Sequence, residues 1–79
     1  AYSNRGAVKS DLGNYQGALI DLNKAVEIDP NFARGYRMRS ITHDRQGNVT
    51  DACADLKKAS SLGDARATTI LEKNSEVCK

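Results

Sequence analysis

Shifted by 34 residues, the sequence meets itself at Tyr2 and Tyr36, Arg5 and Arg39, Gly13 and Gly47, Asn14 and Asn48, Ala18 and Ala52. The register continues through Asp21 and Asp55, Leu22 and Leu56, Lys24 and Lys58, and Ala25 and Ala59. A period of this length is that of a stacked supersecondary unit. Such a unit cannot bury its apolar face alone, so the chain is expected to fold as repeats that cover one another.

The matched residues also say what each unit is. A Gly-Asn pair, Gly13-Asn14 and again Gly47-Asn48, separates two helical stretches. Glycine ends a helix in a conformation that other residues resist, and asparagine caps the next one. Beyond each turn, Ala18, Leu22 and Ala25, then Ala52, Leu56 and Ala59, recur at four- and three-residue spacing. This spacing draws a narrow stripe of small and large residues on one helix face, and its alanines let two helices approach closely. Ile28-Asp29-Pro30-Asn31 stops the first hairpin, because proline disfavours helix in the residue before it. Leu62-Gly63-Asp64 serves as the second stop, with Asp64 as a cap. The expected map is all-α: helices over 1–12, 15–28, 32–46, 49–62 and 64–77, five antiparallel helices in a helix-hairpin repeat. It forms one domain over 1–79, with repeat 1 about 1–30, repeat 2 about 31–63 and a closing helix about 64–77.

Composition supports this map and narrows function. Aromatic residues are 5% of 79 residues and there is one proline, which suits helices packed through small side chains better than a strand-rich core. A net charge of +2 is spread along the chain and gives no strong field for nucleic acid or anionic lipid. Apolar runs are too short for a membrane span. The chain is also too small to enclose a large private cavity.

Two kinds of residue remain to be placed. Arg5 and Arg39 each have an acid at the matching place on the next helix, Asp21 and Asp55. The repetition predicts an ion pair inside each hairpin, with a partly buried arginine held by its aspartate. Cys53 and Cys78 sit on antiparallel stretches about Gly63, about 7 Å apart in height at helical rise. They form either a disulfide, if the last turn frays, or two reduced thiols with Cys53 in the core. A cysteine nucleophile would need a base nearby and the chain has only His43, and the spacing of Cys53, Cys78 and His43 is not that of a zinc site. No catalytic constellation, metal or cofactor is expected.

The stretch LGNYQGALIDLNKAVEIDP, with Gly13, Tyr15, Ala18, Leu22, Ala25 and Pro30, resembles the tetratricopeptide repeat. Gly47, Ala52, Leu56 and Ala59 repeat most of it, so the resemblance covers about residues 1–64. It departs from the family at Tyr2 and Tyr36, where Trp is frequent, at Arg5 and Arg39, where Leu is common, and at Asp64, which replaces a proline. The tail, with DACADLKKASSLGD and a late cysteine, resembles the ends of bacterial repeat proteins whose terminal helix closes the array.

The resemblance implies a superhelix of hairpins whose first helices line a concave groove for a peptide or helix of a partner protein. Carried over residue by residue, it assigns Ser3, Ala7, Ser10 and Asp11 to that groove, together with Arg34, Arg37, Met38, Ile41, Asp44 and Arg45. Arg34, Arg37 and Arg45 beside Met38 and Ile41 would suit an acidic or amphipathic segment. Ser3 and Ala7 stand where one family mode uses Lys and Asn side chains to clamp a terminal carboxylate, so that clamp is not expected. The competing readings are a self-associating spacer, dimerising through the first helix, and a polyanion or RNA site on the arginines. Scarce groove aromatics speak against the last.

Overall fold

The computed structural model describes residues 1–78, which form five α-helices: α1 (Tyr2–Asp11), α2 (Tyr15–Ile28), α3 (Ala33–Arg45), α4 (Val49–Ser61) and α5 (Ala65–Lys73). Helices α1 and α2 make one hairpin and α3 and α4 a second; α3 packs against both helices of the first, and α5 lies on α4. The hairpins stack into a body of 30 × 25 × 16 Å.

Three of the four turns share one chemistry. Gly13, Gly47 and Gly63 all take positive φ, between 80° and 96°, where a side chain would strain the backbone. The residue after each glycine donates its N–H back to a carbonyl five residues earlier: Asn14 to Lys9, Asn48 to His43, and Asp64 to Ala59. The same residue then caps the next helix, accepting from the N–H of Gly17, Asp51 and Ala67 respectively. One two-residue unit thus satisfies the orphan carbonyls of one helix and an orphan amide of the next. The remaining turn, Asp29-Pro30-Asn31, is set by the Asp29 side chain, which accepts from the Asn31 N–H at 3.2 Å.

The core is a row of small and large residues. Ala18, Leu22, Ala25 and Val26 are buried on α2, Ala52, Cys53, Leu56 and Ala59 on α4, and Ala67 on α5. Tyr36, Ile70 and Leu71 close over the Leu56–Ala59–Ala67 end. Thr42 is fully buried between the hairpins, its Oγ1 3.0 Å from both Ser10 Oγ and Met38 O.

The closing helix is shorter than the sequence pattern implied, ending at Lys73 rather than running to 77. The Asn74 side chain donates to the Ile70 carbonyl, and Asn74 O accepts from the N–H groups of Val77 and Cys78. The chain therefore curls after Asn74 instead of rising away from α4. This curl brings Cys78 to Cys53, with Cα atoms 5.3 Å apart, and the two sulfurs are bonded.

Candidate partner-binding face

Helix α3 carries most of the residues assigned to a groove, and its neighbours decide which of them face outward. Ala7, Asp11, Arg34, Met38, Ile41 and Arg45 line a hollow between α1 and α3, with Ser10 at its floor. A second hollow, of about 160 Å³, lies on the other flank of α3. Its walls are Ile41, Asp44 and Arg45 of α3, Val49 and Leu56 of α4, and Ile70, Asn74 and Val77 from α5 and the curled tail. Ile41 and Arg45 border both hollows, so these form one face across α1, α3 and the tail. The second hollow has room for about one large side chain, well short of the roughly 300 Å³ or more of a small-molecule site.

Three expectations about this face are corrected. Arg37 does not project from it: its Nε donates to Asp64 Oδ2 at 2.9 Å, and the pair is only 12% and 11% exposed. Asp64, the cap of α5, is thereby the acid that fixes the closing helix to α3. Burial alone would raise the Asp64 pKa, but bonds from the Ala67 N–H and Arg37 outweigh it, and the net shift is downward. Ser3 and Ser10 are buried rather than projecting from the face, Ser10 because α3 approaches α1 closely enough for Thr42 Oγ1 to lie 3.0 Å from its hydroxyl. The remaining arginines are engaged but exposed: Arg34 Nη1 donates to Asn4 at 2.8 Å, and Arg45 Nη1 to Asp11 at 2.9 Å and Ser10 at 3.0 Å. Exposed pairs of this kind contribute little and exchange readily for a partner's groups.

Sequence reasoning missed Val49, Ile70, Asn74 and Val77 as walls of the second hollow. A straight final helix would have carried Val77 away from α3; only the curl after Asn74 turns it inward. A readable signal was the run of aliphatic residues on a segment that also carries the second cysteine.

The two arginine–aspartate pairs have matching geometry. Arg5 donates through Nε and Nη2 to Asp21 at 2.9 and 2.8 Å, and Arg39 does the same to Asp55 at 2.8 Å for each bond. Each guanidinium also lies over the tyrosine one turn earlier, 5.3 Å from the Tyr2 ring centre and 5.4 Å from that of Tyr36. The buried member of each pair is the acid, not the arginine, since the aspartate springs from the tightly packed second helix while the arginine reaches in from the first. Lys9 adds a third contact to Asp21 at 3.0 Å. His43, by contrast, stands 3.7 Å from Asp55 in the second hairpin, with its Nδ1 buried and without a hydrogen-bond partner among the described residues.

Hydrogen bonds from Arg5 lower the Asp21 pKa to about 2, against an opposing push from burial, with Lys9 assisting. An unfolded aspartate takes its proton near 3.8. The stabilisation from Asp21 is therefore complete above about pH 4 and is lost as the pH falls toward 2. Thermal midpoints measured from pH 6 to 2 should drop most steeply in that interval. In Asp21→Asn the neutral-pH midpoint should be lower and the acid limb shallower; an unchanged acid limb would mean other carboxylates carry it.

The tetratricopeptide repeat model matches residues 1–32. The chain is 32% identical over 99% of its length to the small glutamine-rich tetratricopeptide repeat-containing protein 2 of Saccharomyces cerevisiae, covering 22% of that protein. It is 36% identical over 77% of its length to the Hsp70-Hsp90 organizing protein of Triticum aestivum, covering 10% of it. At the same identity and share of this chain it matches a tetratricopeptide repeat protein 36 homolog of Nematostella vectensis, covering 34% of that protein. The chain thus spans about a third or less of each of these relatives. Its 34-residue period, its two stacked helix hairpins and these matches together identify it as a tetratricopeptide repeat protein.

Proposed function

We propose that the chain is a non-catalytic protein-binding module that takes an amphipathic helix or extended segment of a partner across α3. The observation that carries this reading is the pair of adjoining hollows sharing Ile41 and Arg45. Met38 and Ile41 offer apolar contact at the centre, the cleft beside Ile70 and Val77 accepts one large apolar side chain, and Arg34 and Arg45 at the rim favour a carboxylate nearby. A relative named for organising two other proteins, the Hsp70-Hsp90 organizing protein, agrees with such a role. The engagement of Arg37 by Asp64 takes one of the three arginines out of any polyanion site and so weakens that alternative.

Peptides selected from a random display library on the oxidised chain provide the test. They should carry an aliphatic or aromatic anchor with an acid close by. Their affinity should fall about tenfold or more with Ile41→Lys, a change at the centre of an interface where single anchors dominate. Selected peptides that bind Ile41→Lys and Met38→Lys as well as the parent would place the binding surface elsewhere.

A further inference from the structure

Among the described residues that line the two hollows, four are charged: Asp11, Arg34, Asp44 and Arg45. Asp11 and Arg45 lie 2.9 Å apart, and their charges cancel whether or not a partner takes over their hydrogen bonds. Arg34 meets the neutral amide of Asn4, so its charge is left standing. The Asp44 carboxylate is exposed and makes no hydrogen bond or ion pair among the described residues. One positive and one negative charge therefore remain at opposite ends of α3, separated along the helix axis by about 15 Å. Both stand where a helix disfavours them. A cation in the first turn and a carboxylate in the last each oppose the helix dipole, whose positive end is the N-terminus. Neither is offset by an opposite charge on a neighbouring helix among the described residues. The two side chains and the helix dipole instead share one direction, which makes the face positive at Arg34 and negative at Asp44.

We infer that this face selects a segment of a partner protein by the order of its charges. In the binding mode proposed above, on which this depends, the segment sets a carboxylate against Arg34 and a lysine or arginine side chain against Asp44. Apolar side chains lie over Met38 and Ile41 between them. The large anchor enters the second hollow, which Asp44 borders and Arg34 does not. Whichever way its backbone runs, the segment therefore carries its base nearer the anchor and its acid on the far side of Met38. In an extended segment the two charges are about four or five residues apart. A purely acidic segment meets the uncompensated Asp44 carboxylate at one end, and a purely basic one meets Arg34 at the other, so each is rejected by a like charge.

Peptides selected on the oxidised chain from a random display library are the probe. They should carry a base beside the anchor, and Asp44→Asn should weaken them about two- to fivefold at low salt, the range of one exposed ion pair. Neutralising the peptide's base should weaken binding to the parent by a similar factor and make little further difference to Asp44→Asn. Both losses should shrink at about 1 M salt, where charges are screened beyond about 3 Å, while the loss with Ile41→Lys persists. Selection on the inverted face, Arg34→Asp with Asp44→Arg, should return peptides whose charges are exchanged about the anchor. Both side chains are exposed, so these variants keep the fold, which helical circular dichroism checks. Peptides that lose affinity with Ile41→Lys yet carry no base, or that bind Asp44→Asn as well as the parent, would overturn the charge order and leave the binding face standing. Peptides indifferent to both Ile41→Lys and Met38→Lys would overturn the face, and the charge order with it.

Discussion

Replacing Cys78 with serine should lower the thermal midpoint by roughly 15–25 °C, and full reduction of the unmodified chain should do the same. The bridge closes a loop of 25 residues, which in the chain-entropy account corresponds to about 3.5 kcal/mol of stability. In a domain of 79 residues each kcal/mol moves the midpoint by about 4–8 °C. The effect should be large here because so little else holds the end of the chain. Among the described residues, the Asn74 turn and the bridge are the bonds that retain residues 74–78, and α5 fully buries one residue, Ala67, with Ile70 and Leu71 partly covered. Losing the bridge should also remove Val77 from the wall of the second hollow, so peptide affinity and stability should fall together. Calorimetry of oxidised, reduced and Cys78→Ser protein checks this. Midpoints that agree within about 3 °C would mean that the Arg37–Asp64 pair and Ala67 suffice to hold the closing helix.

The fold was legible because its determinants are local and repeated. Gly-Asn turns, the alanine-leucine stripe and the 34-residue period each act within a hairpin, and helix α2 spans Tyr15–Ile28 as its pattern requires. Less legible was whatever depends on where a helix ends and what then meets it. The pattern of Ala67, Ile70, Leu71 and Val77 reads as one continuous helix, yet Asn74 terminates it, and with that termination the walls of the second hollow come into being. Arg37 reads as a groove cation because nothing in the sequence announces that Asp64, 27 residues later, returns to its side. The pairing of Arg5 with Asp21 was visible because it repeats; which partner would be buried was not, since burial depends on how deeply α2 and α4 sit in the stack.

Leu22→Ala should cost about 4 kcal/mol, more than the same change at Leu56. Leu22 is fully buried, and truncation of such a residue leaves a cavity whose cost grows with how little the surroundings can collapse. Here they can collapse little. The side chain is seated against the backbone of α1 at Gly6, where a Cβ would lie 2.7 Å from Leu22 Cγ and 3.2 Å from the Ala18 carbonyl oxygen. Glycine is tolerated in mid-helix, at a cost of about 1 kcal/mol relative to alanine, because the leucine occupies the space its side chain would need. Leu56 has Ser40 at the position matching Gly6, and it borders the second hollow, so its neighbours have somewhere to move. The two changes at the first site should therefore be strongly non-additive. Gly6→Ala alone overpacks the contact and should destabilise by about 1–2 kcal/mol, whereas in the Leu22→Ala background the new methyl group fills part of the cavity and restores helix propensity. Denaturant unfolding of the four proteins checks this, with the double variant expected to be more stable than Leu22→Ala alone. If Gly6→Ala lowered stability equally in both backgrounds, the approach of α1 to Leu22 would not be what fixes the spacing of the first hairpin.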